Sequence, residues 1–414
     1  MKPISPTAAP PANNAALAII FTVILLDIIG LTILMPVQAY VVRQYSGGAL
    51  TVALLTALYA AAQFFAAPLL GTLSDRYGRR PVLLASVLGS AAGYFLFGLG
   101  GSLAVLLLSR LIDGFTGGNL STASAYIADI TPPERRARNF ALLGAAFGVG
   151  FIAGPALGGA LSQLSLSAPA YAAGAASLLA AAVGFVALPE SLPAERRRQA
   201  PLRLADLNPF APIADMLRRP ALRGLLLVQC LFTFVVMGYN SATPVLLIDR
   251  FGAPPARVAT LMVAIGAANV LVQAGLVGRL VARFGERSVA IVALGFQALA
   301  LIGIGSAPAF WMLYPIGVAT SGGAGPLRPA LSALLANQLA PEEQGKLNGV
   351  STALGALMAA LGPLWAGVTY DYIAPGAPFW FGAAVLGLAC MFLAWASAPA
   401  RIIQIRLTND TKSG

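Results

Sequence analysis

Apolar residues gather along this chain in runs of roughly 20, the length that crosses a bilayer core as a helix. The breaks between them fall at Pro, Gly and charged residues. Such runs cover residues 16–38, 50–70, 82–99, 103–127, 139–161 and 169–188, then 222–246, 257–278, 289–306, 309–334, 347–370 and 376–397. The pattern predicts an all-α integral membrane protein of twelve spanning helices. Between the sixth and seventh runs lies the one long polar stretch, Pro189 to Arg223, rich in Pro and Arg and containing Arg196-Arg197-Arg198. This divides the chain into an N-terminal six-helix bundle over 1–188, a linker over 189–221, and a C-terminal six-helix bundle with a short tail over 222–414.

Composition agrees with the pattern. Of 414 residues, 58% are hydrophobic and only 10% charged, and the mean hydropathy of +0.80 is too high for a soluble domain. The formal charge of +11 would point to nucleic acid in a soluble protein. Here the basic residues sit in short loops, where they orient the chain instead, so no nucleic-acid partner is expected. Arg76, Arg79, Arg80, Arg135, Arg136, Arg138, the linker arginines, Arg279, Arg283, Arg287 and Lys346 fall on one side, while only Arg43, Arg250 and Arg257 fall opposite. Both termini and the linker are therefore expected in the cytoplasm, with the chain in a cell membrane, that of a bacterial inner membrane by preference. The first residues carry one Lys and no cleavage signature, so span 1 is read as a permanent helix. Cys230 and Cys390 lie in separate apolar runs and His is absent, which leaves no disulfide framework and no metal or cofactor site to expect.

The two halves repeat. Pro133-Glu134 after span 4 is echoed by Pro341-Glu342 after span 10, and Gly154-Pro155 in span 5 by Gly362-Pro363 in span 11, both at an offset of 208. The segment Gly71-Thr-Leu-Ser-Asp75-Arg76-Tyr-Gly78-Arg79-Arg80-Pro81 recurs 207 residues later as Gly278 to Arg287, with Ala282 where the Asp stood. Two bundles of the same topology describe a parallel repeat, and such proteins bind their substrate near the bilayer midplane.

Candidate chemistry lies inside the spans. Asp27 sits about a dozen residues into span 1, where a carboxylate costs roughly 2.5–3.5 kcal/mol on insertion scales. It serves as a proton carrier or as a contact for a cationic substrate, or else it is a neutral acid bonded to backbone. Arg110 and Asp113 are three residues apart in span 4, on one helix face, and pair either for proton coupling or only to orient the span. Span 5 carries Gly150, Gly154, Pro155, Gly158 and Gly159, a kink beside a face that admits a closely packed neighbour. Gln63, Asn119, Gln229, Asn240, Asn269, Gln273 and Gln297 are polar positions within spans, and Tyr126 and Tyr239 could add aromatic walls to an amphiphilic cavity. The segment at 71–81 reads as a loop whose glycines permit a tight reversal and whose arginines hold it in the cytoplasm.

Four of these elements together, the Gly-x-Leu-x-Asp-Arg-x-Gly-Arg-Arg segment, Arg110 in span 4, Gly150-x3-Gly154-Pro155-x2-Gly158-Gly159 in span 5, and Leu26-Asp27 with Pro36, resemble the drug/proton antiporter branch of the major facilitator superfamily. Leu34-Met35-Pro36, Ala57-Leu58-Tyr59-Ala60 through Gln63 to Pro68, and Ala125-Tyr126-Ile127-Ala128-Asp129-Ile130 look most like tetracycline/proton antiporters. The resemblance implies a monomeric secondary transporter, not an enzyme, that exports an amphiphilic small molecule in exchange for protons, with the proton gradient in place of any cofactor. It implies that Arg110 takes part in proton transfer, that the span 5 pattern marks an exporter and seals the bundle interface, and that Asp75 engages the N-terminus of span 11 as a latch. Siderophore or metabolite export and proton-coupled uptake reuse the same parts. A sensor or membrane-embedded enzyme would need a constellation that the chain lacks. Ala141 stands where the span 5 pattern expects its first Gly. Span 9 has no acid, span 3 offers Gly93 where an acid is expected, and the membrane holds no His, so tetracycline itself stays open as the substrate.

Overall fold

The computed structural model describes residues 14–199, 210–340 and 343–395. In chain order the helices are α1 Asn14–Ile33, α2 Gln38–Arg43, α3 Ala49–Tyr77, α4 Arg79–Leu99, α5 Leu103–Thr116, α6 Asn119–Ile130, α7 Arg136–Leu161, α8 Ala168–Ala187, α9 Phe210–Leu217, α10 Pro220–Phe251, α11 Pro255–Gly275, α12 Val277–Ser306, α13 Leu313–Ala336, α14 Gln344–Tyr372 and α15 Ala377–Trp395. Among the described residues eleven helical passes are long and apolar enough to cross a membrane, α5 and α6 making one of them together. The twelfth is α13, which has the length but is diluted by Gly317, Thr320, Ser321, Gly322, Gly323 and Gly325. Twelve passes follow, as the apolar runs require.

The described residues fall into two compact units. One is drawn from Met1–Gly47, Leu55–Pro209 and Ala253–Val263, the other from Gly48–Leu54, Phe210–Gly252 and Ala264–Gly414. The opening turns of α3 and α11 each fall in the unit that does not hold the rest of their helix. In the first unit α1 packs on α7 and α8, and α4 on α8 and α5. In the second, α10 packs on α14 and α15, and α12 on α15 and α13. Four of these contacts correspond one to one (α1·α7 with α10·α14, α1·α8 with α10·α15, α4·α8 with α12·α15, α4·α5 with α12·α13), so the sequence repeat is also a repeat of packing. The first unit's core joins Ile20, Ile24 and Ile28 of α1 to Leu83, Ala123, Tyr126, Ile127 and Ala146.

The segment at 71–81 is not a loop. α3 runs on through Tyr77 and α4 begins at Arg79, so the whole reversal rests on Gly78, with φ 106° and ψ 158°. Hydropathy locates only the part of a helix in hydrocarbon, whereas backbone hydrogen bonding continues through polar turns. Gly71 lies within α3 and turns nothing. The repeat holds here too: Gly285, 207 residues on, is the one non-helical residue within α12, at φ 76° and ψ 155°.

Candidate functional site

Span 4 is broken at its centre, and the break builds the charged site. α5 ends at Thr116 and α6 starts at Asn119, leaving Gly117 and Gly118 between them. Gln63 of α3 donates from Nε2 to the Gly117 carbonyl at 2.8 Å, supplying a partner at the interruption. Gly114 brings the helices together, since a methyl there would lie 2.9 Å from Tyr59 Cα. Gln63, expected to line a cavity, thus has its amide nitrogen committed to the fold.

One turn before the break, Arg110 and Asp113 lie 3.1 Å apart with 3% and 1% of their surface exposed. The Arg110 guanidinium sits over Phe97 at 4.8 Å and Tyr94 at 5.5 Å, two rings that replace water around a buried cation. Its Nε and Nη2 have no hydrogen-bond partner among the described residues. Asp113 fits because residue 93 is Gly: a methyl there would stand 2.9 Å from Asp113 Cβ and 3.0 Å from the Ser109 carbonyl oxygen. Asp27 is half-buried on α1. With Arg110 and Asp113 it acts electrostatically on Tyr59 and Tyr94, so the three predicted coupling residues converge on one pair of tyrosines.

The glycines of α7 face the helix that carries Asp27. A methyl at Gly150 would strike Ile28, one at Gly154 would strike Thr32, and one at Gly158 would strike the Ile33 carbonyl. Thr32 Oγ1 donates to the Gly150 carbonyl at 2.9 Å, so the contact is hydrogen-bonded as well as close. Three glycines of the row expected to seal an interface between bundles seat α1 within the first unit, and Pro155 sits inside α7 without ending it. Only Gly159 points elsewhere, toward Ala256 and Ala259 at the start of α11, in the same unit.

Around Gly78 the charges close on one another. Arg79, 9% exposed, reaches Asp75 at 2.5 Å, Asp129 at 3.1 Å and Ser74 at 2.8 Å. Arg80 donates to the Phe185 carbonyl and lies over that ring, and Arg76 lies over Tyr77. Two acids without a predicted role complete the cluster. Glu190 accepts from the backbone N–H of Arg79 at 2.8 Å and of Arg80 at 3.3 Å, capping α4, which has no cap of its own because Gly78 precedes it. Asp129 is the other. Their only sequence signal is an acid two residues past the end of each of spans 4 and 6.

Tyr126 is fully buried in the core, and its hydroxyl donates to the Pro189 carbonyl at 2.8 Å, so it is a packing residue rather than a cavity wall. Asn119 opens α6, and its side chain lies outside the described residues. Gln273 donates to Asn269 at 2.9 Å along one face of α11. Ser351 approaches Gln229 at 3.5 Å, and Asn240 is exposed on α10. Tyr239 is half-buried beside Gln297 and Thr320.

At the base of the second unit, Arg219 makes a two-pronged bond to Glu343 at 2.9 and 2.7 Å, while Lys346 holds Asp215 at 2.5 Å. The hydrogen bond from Lys346, aided by its charge, keeps the Asp215 carboxyl below the usual range. The bond from Arg219 does the same for Glu343. This network ties α9 to the start of α14.

The family model of the Major Facilitator Superfamily matches residues 20–305 and 270–408. The chain is 37% identical over 393 residues to the class C tetracycline resistance protein of Escherichia coli, covering 92% of this chain and 96% of that one. It is 36% identical over 384 residues to the class G protein of Vibrio anguillarum, covering 88% and 93%. Among solved structures, the human organic anion transporter MFSD10 (TETRAN) superposes with a TM-score of 0.71 at 27% identity, covering 92% of this chain and all of that one.

Proposed function

The chain belongs to the Major Facilitator Superfamily, and from that premise we propose that it is a proton-coupled antiporter that exports amphiphilic drugs, tetracycline-like molecules among them. The observation that carries this reading is the Arg110–Asp113 ion pair, 3.1 Å apart and almost fully buried inside apolar helices, with a third charged residue, Asp27, half-buried on α1. A carboxylate among apolar helices is costly and marks an ion or proton path. Support for drugs as cargo comes from relatives named for tetracycline resistance over nearly the whole chain.

The work divides among residues as follows. Asp27 takes a proton from outside and gives it up inside, and the Arg110 guanidinium biases that exchange while Asp113 stays as its counter-ion. Two six-helix bundles, 1–188 and 222–414, rock about a midplane site in alternating access. The α1–α7 glycine contact transmits the state of Asp27 to α7 as a rigid pair. One proton moving inward supplies about 2.3 kcal/mol per 100 mV, enough to drive accumulation of cargo outside. Asp75 acts as the latch of the first bundle, with its echo lost at Ala282. The protein works as a monomer in the cell membrane with both termini cytoplasmic, and the proton gradient serves where a cofactor would.

Everted membrane vesicles test the reading. Under an imposed gradient they should accumulate tetracycline or another amphiphilic drug, and a protonophore should abolish it. Accumulation indifferent to the protonophore would remove proton coupling, and accumulation of no drug would leave a narrow metabolite exporter.

A further inference from the structure

Arg328 is a cation inside the second unit for which the sequence supplies no counter-ion. Arg223 and Arg257 stand at the edges of their apolar runs, whereas Arg328 lies deep within the run 309–334. It is on α13, which continues to Ala336, so about 12 Å of helix separates it from that end. No acid of residues 222–414 falls inside an apolar run. Accordingly, Arg328 makes no ion pair and no hydrogen bond among the described residues. At the 208-residue offset that relates Pro155 to Pro363, Arg328 answers Leu120, so the repeated fold does not itself call for a charge there.

The contacts between α11 and α13 show what surrounds this cation. Ser321 donates to the Ile265 carbonyl at 3.1 Å, and one turn on, a methyl at Gly325 would stand 3.5 Å from Asn269 Oδ1 and 3.0 Å from Val272. Contact thus advances in the same direction on both helices, and the next turn brings Arg328 level with Gln273. Gln273 is exposed and donates to Asn269 Oδ1 at 2.9 Å, which leaves the Asn269 amide nitrogen uncommitted among the described residues. On α13 the residues that share a face with Arg328, namely Ser321, Leu331 and Leu335, are all buried. Arg328 is nonetheless exposed. An exposed side chain on the packed side of a helix lines an opening among helices, which is not the position from which an arginine snorkels along lipid.

We infer that Arg328 is a specificity residue that takes an anionic oxygen group of the cargo, a carboxylate or sulfonate on an otherwise apolar frame, with the Asn269 amide beside it. This rests on the exporter reading above and narrows its substrate class. An uncompensated guanidinium among apolar helices is costly, and a carboxylate or sulfonate offers the paired oxygens that its fork can hold at once. A cationic group at this place would meet a like charge with nothing to offset it.

The test compares full-length wild type with Arg328→Gln and Arg328→Lys in proteoliposomes of phosphatidylcholine, with and without phosphatidylglycerol. Under an imposed proton gradient the probes are anilinonaphthalenesulfonate, its sulfonate-free parent N-phenylnaphthylamine, and tetracycline as a reference. The thermal midpoint of each purified protein checks the fold. The expected result is an unchanged or raised midpoint for Arg328→Gln, with KM for the sulfonate raised about tenfold or more and N-phenylnaphthylamine transport little changed. Arg328→Lys, which keeps the charge and loses the fork, should recover part of that KM. If Arg328→Gln lowers the midpoint, Arg328→Leu, which installs the residue found at the matching place in the repeat, decides. An unchanged KM for the sulfonate, or equal losses on both naphthalene probes in a folded variant, overturns the inference. So does a difference between wild type and Arg328→Gln that appears only with phosphatidylglycerol, which would assign the guanidinium to a lipid headgroup. Wild type that moves tetracycline or N-phenylnaphthylamine but not the sulfonate overturns it too and leaves the exporter reading standing. Transport of none of the three overturns the exporter reading and this inference together.

Discussion

Replacing Gly78 with alanine sets a methyl group on a backbone that L-residues avoid and directly against a carboxylate. At φ 106° and ψ 158° the residue lies in a region held almost only by glycine, and forcing alanine into it costs about 1–3 kcal/mol. The added Cβ would meet the Glu190 carboxylate and stand 3.2 Å from Arg197 Nη2, so Glu190 must withdraw from the N–H groups of Arg79 and Arg80. Loss of that cap adds about 0.5–2 kcal/mol. The sum is roughly 1.5–5 kcal/mol. Two glycines of the same motif serve as internal references. Gly285, at φ 76° with open space around it, should cost the strain alone, about 1–3 kcal/mol. Gly71 is helical with nothing nearby, so alanine there should be neutral or stabilising by up to about 1 kcal/mol. Denaturant titration of the purified protein in mixed micelles, followed by circular dichroism, reads all three. The cost of Gly78→Ala should also shrink when Glu190→Ala is already present, because the collision is gone. Equal effects at the three glycines, or strict additivity with Glu190→Ala, would refute the reasoning.

Two further outcomes follow from buried and exposed charge. Arg110→Leu leaves Asp113 buried without its cation and should cost about 3–5 kcal/mol, whereas Arg110→Leu with Asp113→Leu should recover most of that stability in the same titration and still fail to export; an equally unstable double variant would contradict the pairing. For Asp215 and Glu343, whose carboxyls are held below their usual range by Lys346 and Arg219, the stabilisation is present above the ordinary carboxylate range and is lost only as pH falls through the lowered values. Spin labels on α9 and α14 should therefore keep their separation from neutral pH down to about pH 4 and part below it, while Lys346→Met should broaden the distance at neutral pH. Separation between pH 5 and 7 would count against the network.

How far the sequence carries differs by scale. Twelve passes and the repeat were legible because burial in hydrocarbon imposes one demand on every span, and the demand leaves a readable run of apolar residues. The pairing of polar residues was legible only where both partners share a helix, as with Arg110 and Asp113. Gln63 reaching the Gly117 carbonyl, Tyr126 reaching Pro189, and Glu190 capping α4 join residues 54, 63 and 111 positions apart, and no local pattern encodes them. The reversal at Gly78 was placed correctly but read as eleven residues long, since charge and glycine density mark the end of the membrane and not the end of the helix. The glycine row of α7 was read as a packing face, and its partner proved to be α1, which periodicity alone does not choose.

The central claim is that Asp27 couples cargo to protons, and the direct measurement is proton movement driven by drug. In proteoliposomes holding a pH-sensitive dye, an imposed gradient of an exported drug should move protons the opposite way in the wild type. Asp27→Asn should still bind the drug but move no protons above the empty-liposome rate. Drug-driven proton movement by Asp27→Asn at the wild-type rate would contradict the account.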